Sequence, residues 1–224
     1  MTPDAGIQKK NIVIVDDHPL VREWLATLIN QQSDLKICGE AADAADALKL
    51  IAAAKPHLAI VDISMHGGSG IELIKEIKAV CPEVQVLVLS VHESRLFRER
   101  AFGAGARGYV TKREATREVL QAVRSVLEGK FYLGAKAAAP ATDKFVGLKT
   151  PATDHLVEKL SDRELEVFHL LGRGLGTRQI AGELRVNFRT VQAFSARIKK
   201  KLGLCSATKL LREATSWLDR QNFK

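Results

Sequence analysis

Cysteine is scarce in this chain: Cys38, Cys81 and Cys205 are the three present among 224 residues. An odd number at wide spacing fits neither a disulfide framework nor the clustered ligands of a zinc site, and it favours a reducing cytoplasm. No apolar run approaches the roughly 20 residues that a membrane span requires. The N-terminal segment has no apolar core behind Lys9 and Lys10, so it is not read as a signal peptide. No long basic helix with aromatic anchors appears, which disfavours a membrane-surface partner, and no internal repeat is visible. What remains is an ordinary soluble composition, 46% hydrophobic and 27% charged, over a length suited to two domains.

Charge divides those two domains. Residues 1–130 hold 17 Lys and Arg against 17 Asp and Glu; subtracting these from the chain totals of 34 and 26 leaves 17 against 9 in residues 131–224. The whole net charge of +8 therefore lies in the second half. A basic module joined to a neutral one points to a polyanionic partner, most often nucleic acid.

The first half alternates short apolar runs with helical patterns. Strands are expected at Ile12–Val15, Leu35–Glu40, His57–Asp62, Val84–Ser90 and Gly108–Thr111, the second less apolar and so nearer an edge. Helices are expected between them, with Pro19 in a first turn, Asp43 as an N-cap and a last helix from Thr116 to Glu128. Five strands alternating with five helices make an α/β fold, a doubly wound parallel sheet with helices on both faces.

Parallel strands point one way, so their carboxyl ends share a rim, where open α/β sheets place ligand chemistry. Asp16 and Asp17 end strand one, Asp62 ends strand three before a glycine-rich run, Ser90 ends strand four and Lys112 follows strand five. Alone, each has an ordinary explanation as a cap or a surface charge. Together, three carboxylates need a cation, and hard oxygen ligands suit Mg²⁺. A lysine and a hydroxyl bind phosphoryl oxygens, and the central carboxylate can act as nucleophile to form an acyl phosphate.

Residues 11–130 resemble the receiver domain of bacterial two-component response regulators. The resemblance assigns Asp16 and Asp17 to the acidic metal-binding pair, Asp62 to the phospho-acceptor, Ser90 to the hydroxyl that follows the phosphoryl group and Lys112 to the lysine after strand five. It assigns Tyr109 to the aromatic that changes rotamer on activation, and Gly103–Tyr109 resembles the usual approach to strand five. One position departs: the proline usual four residues after the acceptor is His66, which frees φ and restores an N–H in that loop.

Residues from Gly134 to about Thr153 are rich in Ala, Thr, Pro and Lys and read as a linker. Beyond them Ser161 and Glu164 have capping-box spacing, Gly172-Arg173-Gly174 stops that helix, and Thr177 is expected to cap a short helix to Leu184. After a turn at Arg185-Val186, Asn187 caps a third helix ending at Gly203, and a fourth runs from about Ser206 to Leu218. This is a helix-turn-helix whose second helix buries Val191, Phe194 and Ile198. Arg189, Gln192, Ala193, Ala196, Arg197 and Lys199-Lys200-Lys201 are left outward, a mixture suited to base edges and phosphates. Thr177, Arg178 and Thr190 join the candidate DNA contacts.

Residues 160–205 resemble the LuxR-type domain of the NarL/FixJ regulators through Leu160-Ser161-x-Arg163-Glu164-x-Glu166-Val167, Ile180-Ala181-x-x-Leu184, Thr190-Val191 and Lys201-Leu202-Gly203. Gln192 and Phe194 depart from the family's common lysine and His or Tyr, which implies an altered operator or reliance on dimerisation. The expected units are a tail (1–10), a receiver (11–130), a linker (131–155) and a small all-α DNA-binding domain (156–224). The two resemblances imply a cytoplasmic, non-enzymatic transcription factor. They further imply phosphorylation at Asp62 by a sensor histidine kinase with Mg²⁺ and binding of double-stranded DNA as a homodimer, at least when phosphorylated, with no membrane partner. The rivals are a regulator that binds DNA without phosphorylation and an aspartyl-nucleophile phosphatase; the second lacks the usual second catalytic Asp, because that position holds Ser64.

Overall fold

The structure, a computed structural model, describes residues 9–65, 68–114, 116–134 and 154–222. His66 and residues 135–153 of the expected linker (131–155) lie outside the described residues. The sheet strands are β1 (Lys10–Val15), β2 (Leu35–Ala41), β3 (Leu58–Val61), β6 (Gln85–Ser90) and β7 (Gly108–Thr111). They are parallel, in the order β2-β1-β3-β6-β7, so β2 is an edge and β3 is central. A two-residue hairpin, β4 (Ser64–Met65) with β5 (Gly68–Ser69), follows the central strand.

Period-two alternation in the strands feeds two apolar layers. Ile12, Ile14, Leu58, Ile60, Leu87 and Leu89 pack on one face against α1 (Pro19–Asn30) and α5 (Thr116–Leu127). Val13, Val15, Ala59, Val61, Val86 and Val88 pack on the other against α2 (Ala44–Ala54), α3 (Gly70–Val80) and α4 (Arg95–Gly103). Strands covered on both faces read as continuous apolar runs, which is why β3 and β6 are so apolar. Hydrogen bonds continue past the expected receiver boundary: Tyr109 N–H donates to Tyr132 O and Tyr132 N–H to Arg107 O.

The second half folds as α6 (Asp154–Val157), α7 (Asp162–Gly172), α8 (Thr177–Glu183), α9 (Phe188–Leu202) and α10 (Ala207–Asn222). Ser161 and Glu164 form the expected reciprocal capping box on α7. Asn187 Oδ1 accepts from Arg189 N–H at 2.9 Å, and Gly203 ends α9 at φ 67°, in the left-handed region that glycine enters without steric cost. One cap differs: Thr177 is the first helical residue of α8, and Gly176 is the N-cap. Gln179 reaches back to accept the Gly176 N–H at 2.8 Å, which supplies a side-chain acceptor without a capping hydroxyl. Helix α10 also runs about a turn beyond the expected Leu218. Among the described residues no helix is long and apolar enough to cross a membrane.

The start of α3 is pressed onto the end of β3. Gly70 N–H donates to Ile63 O at 2.8 Å, and a Cβ at Gly70 would overlap the carbonyl oxygen of Asp62. Gly70→Ala must therefore move the backbone that carries the Asp62 carboxylate. We expect it to lower stability by about 1–3 kcal/mol, the usual cost of overpacking, read as a shift in the urea midpoint.

Candidate functional site

Strand ends bring the expected residues together. Asp16 and Asp62 follow paired Val15 and Val61, Val61 pairs with Val88 of β6, and Ser90 of β6 pairs with Thr111 just before Lys112. Lys112 Nζ lies 2.7 Å from Asp16 Oδ2 and 2.7 Å from Asp62 Oδ2, so one ammonium bridges two buried carboxylates. Asp62 Oδ1 accepts Ser64 N–H at 3.3 Å. Ser90 is fully buried, and its hydroxyl accepts the His92 N–H at 3.2 Å.

Asp16, Asp17, His18 and Asp62 each offer a ligand atom, all within 4.8 Å of one another. His18, exposed beside the buried carboxylates, has Nδ1 2.7 Å from Asp17 Oδ1 and 3.1 Å from Asp16 Oδ1. Burial pushes the Asp62 carboxyl up to about 6; Lys112 opposes this and the Asp16 charge adds to it. Lys112 itself, although burial pulls it down, is held above its ordinary value by Asp62 and Asp16. A carboxyl so disfavoured as an anion fits a site that a hard divalent cation completes, and the donor set is the oxygen-rich kind Mg²⁺ takes.

Sequence reasoning did not find the wall facing this site. His92 Nε2 is 2.7 Å from Ser64 Oγ, and the His92 ring stacks on Phe97 at 4.1 Å and meets His169 of α7 edge-on at 4.6 Å. Tyr109, buried, donates its hydroxyl to the His92 carbonyl at 2.7 Å. Residue 92 thus touches the loop after Asp62, Tyr109 and the second domain. Glu166 of α7 is fully buried, with Oε2 2.5 Å from Arg163 Nη1 and no hydrogen bond to Oε1. Arg163 also approaches Met65 O at 3.4 Å, Gly68 O at 3.5 Å and Leu184 O at 3.2 Å, linking the hairpin after Asp62 to the helix-turn-helix. A cavity of about 270 Å³ lies between, lined by Asp62, Ser64 and Lys112 on one side and Glu166, Leu170 and Arg185 on the other.

The expected DNA contacts lie on α8 and α9. Arg178, Arg189, Gln192, Ala193, Ala196, Arg197 and Lys200 are exposed, and Thr177, Thr190 and Lys199 are half-buried. Val191 and Ile198 are buried as expected, whereas Phe194 is only half-buried, with the Arg197 guanidinium 4.9 Å above its ring. Lys201 departs from the outward triplet. Its Nζ binds Glu164 Oε2 at 2.6 Å and Lys159 O at 3.1 Å, so it fastens α9 to α7 rather than pointing to a ligand.

Three titratable groups in the wall respond to pH in opposite senses. Burial pushes Glu166 up to about 8, against the pull of Arg163 and with the Asp62 and Asp162 charges adding to the rise. Burial and Arg173 bring His169 down to about 4, and burial, His169, Arg173 and Lys112 hold His92 well below its ordinary value. A carboxyl raised from 4.5 contributes stability that is full at low pH and lost as pH climbs toward 8; depressed histidines lose stability as pH falls below 6.5. From about pH 7 to 8 the histidines are mostly neutral folded or unfolded, and the Glu166 slope dominates. Stability should fall across that window, and Glu166→Gln should flatten the fall. Parallel urea-midpoint profiles for the two proteins would show that Glu166 does not titrate there.

Two family matches cover most of the chain. Residues 12–124 match the response regulator receiver domain, and residues 158–214 match the bacterial regulatory proteins of the luxR family. The oxygen regulatory protein NreC of Staphylococcus aureus (strain JH9) is 32% identical over 207 residues, covering 91% of this chain and 95% of that protein. Among solved structures, a LuxR-family two-component response regulator from Aurantimonas sp. SI85-9A1 aligns with TM-score 0.56 and 33% identity, over 58% of this chain and 92% of that one. The RcsB response regulator of Salmonella typhimurium aligns with TM-score 0.62 and 25% identity, over 93% and 98%. A receiver match and a luxR-family match thus stand in one chain, and this chain belongs to the two-component response regulators that join a receiver domain to a LuxR-type DNA-binding domain.

Proposed function

We propose that this protein is a transcription regulator switched by phosphorylation of Asp62, with residues 11–130 as receiver and 156–224 as output. The observation that carries the reading is the Lys112 ammonium shared at 2.7 Å by Asp16 and Asp62 on a rim that also holds Ser90. An Asp62 carboxylate oxygen attacks the phosphorus of a donor, the bond from phosphorus to the donor's leaving atom breaks, and the donor departs with that electron pair. The donor within the cell is a sensor histidine kinase. Lys112 balances charge on the transferring group, and the Ser90 hydroxyl turns from the His92 N–H toward the new phosphoryl oxygens. Asp16, Asp17 and Asp62 would hold Mg²⁺, which when bound neutralises the carboxylates and the incoming phosphoryl charge.

Release of Ser90 from the His92 backbone frees the loop whose carbonyl Tyr109 holds, and this passes the event toward α4 and α7. That is a local charge change biasing a two-state element. A dimer then sets two α9 helices on half-sites about one helical turn apart in cytoplasmic DNA. RcsB, whose structure is described in terms of conformational dynamism for DNA interaction, lends support through its likeness over nearly the whole chain.

A second reading, DNA binding independent of phosphorylation, is favoured by one observation: the outward residues of α9 are exposed while the two domains touch. Operator affinity and dimer fraction with and without beryllofluoride separate the two. The phosphatase reading loses further ground, since Ser64 replaces the second carboxylate and its hydroxyl is held by His92.

Asp62→Asn should abolish incorporation of the phosphoryl group from acetyl phosphate, read by intact mass, and EDTA should do the same reversibly; incorporation by the Asn variant sinks the acceptor assignment. For DNA, Lys199→Ala with Lys200→Ala should weaken binding at all sequences and reduce the salt slope by about 2, close to one unit for each phosphate no longer neutralised. Lys201 is left intact in that variant because it holds the fold. An unchanged slope would move the interface off α9.

A further inference from the structure

The residues that pin the output domain to the receiver decide which phosphodonors can reach the acceptor. Asp62 is only 2% exposed, and the wall over it belongs to α7 and the turn after α8. Arg100 of α4 holds that wall with one guanidinium: Nη1 donates to Asp162 Oδ1 at 2.7 Å, and Nη2 donates to Leu160 O at 2.8 Å and Glu158 O at 3.0 Å. Lys75 of α3 adds a second cation 3.4 Å from Asp162 Oδ2. Asp162 is buried and at the first turn of α7, so these contacts join two receiver helices to α7 of the output domain.

Size then discriminates. The cavity over Asp62 is about 270 Å³, room for roughly nine water volumes at about 30 Å³ each. A small phosphodonor fits there. A phosphohistidine on a protein arrives on a helix about 10 Å across, and its phosphorus must come to about 3–3.5 Å from the carboxylate, in line. Glu166 and Leu170 of α7 line the far side of that cavity, where such a helix would have to lie.

We propose that Arg100 and Asp162 form a donor-selecting latch: while it is shut, Asp62 accepts phosphoryl groups from small donors, and opening it admits protein-borne phosphohistidine. The proposal rests on Asp62 being the acceptor. Either donor delivers the same chemistry: the P–N bond breaks, a P–O bond to Asp62 forms, and the leaving nitrogen, ammonia or imidazole, keeps the electron pair with a proton from water. The latch acts on input, because Gln192, Ala193, Ala196, Arg197 and Lys200 of α9 stay in solvent.

The test compares two donors that share a P–N bond, phosphoramidate and a helical peptide of about 20 residues bearing one phosphohistidine, on the full chain with Mg²⁺. Modification is followed by intact mass, with Asp62→Asn as control. Arg100→Ala and Asp162→Asn should each raise the peptide rate about tenfold, in proportion to the fraction of molecules open, and leave the phosphoramidate rate within about twofold. Both remove the Arg100–Asp162 ion pair, while Arg100 also holds Leu160 O and Glu158 O and Asp162 also faces Lys75, so the double variant should gain less than the product of the singles. Unchanged peptide rates, or effects that multiply in the double variant, overturn the latch. A fall in the phosphoramidate rate also overturns it, by placing the two residues in the acceptor site itself. If phosphoramidate fails to modify the wild-type chain at Asp62, the acceptor reading fails instead.

Discussion

Two buried carboxylates share one ammonium at the carboxyl edge of the sheet, and the receiver depends on that arrangement. Asp16 and Asp62 stand on adjacent strands, so their charges cannot be moved apart without breaking the β1–β3 register. Lys112 answers both at 2.7 Å and is delivered by the fifth strand, one strand beyond Ser90. A group of buried charges is stable only when each has a partner, and losing one partner leaves the other uncompensated. The chemistry and the stability of this edge therefore have the same origin. Anything that adds charge there, whether a cation or a phosphoryl group, redistributes hydrogen bonds already in use.

Those hydrogen bonds lead outward through residue 92. Ser90 accepts the His92 N–H, Tyr109 donates to the His92 carbonyl, and the imidazole binds Ser64 and meets His169. The apolar layer under α4 continues into the second domain through Phe97, His169, Trp217 and Phe168, whose rings are in series. The two domains are thus joined by a packed core as well as by the ion pairs around Asp162, and a change at Asp62 meets a wall that is apolar, charged and buried at once.

The sheet and the acidic rim were legible in the sequence because parallel topology alone aligns strand ends; Asp16, Asp62, Ser90 and Lys112 needed no side-chain detail to be brought together. The caps at Asp43, Ser161 and Asn187 were legible because capping is local. Thr177 misled, since a hydroxyl at a helix start is the usual cap, yet Gly176 with Gln179 does the same work one residue earlier. Lys201 was placed with its basic neighbours because helical spacing shows which way a side chain leaves, not what another helix offers it. The wall was beyond reach. Arg100 and Asp162 are 62 positions apart and His92 and His169 lie on different domains, and no periodicity encodes how two folded units meet.

The contact between Tyr109 and residue 92 uses a backbone carbonyl, which every amino acid possesses. That one hydrogen bond is therefore indifferent to what side chain residue 92 carries. The ring contacts are not: Ser64 and Phe97 of the receiver and His169 of the output domain all meet the imidazole itself. An exchange at residue 92 would keep the Tyr109 hydrogen bond and change the fit against the hairpin and α7 together. Position 92 works as an adaptor, generic at its carbonyl and bespoke at its ring.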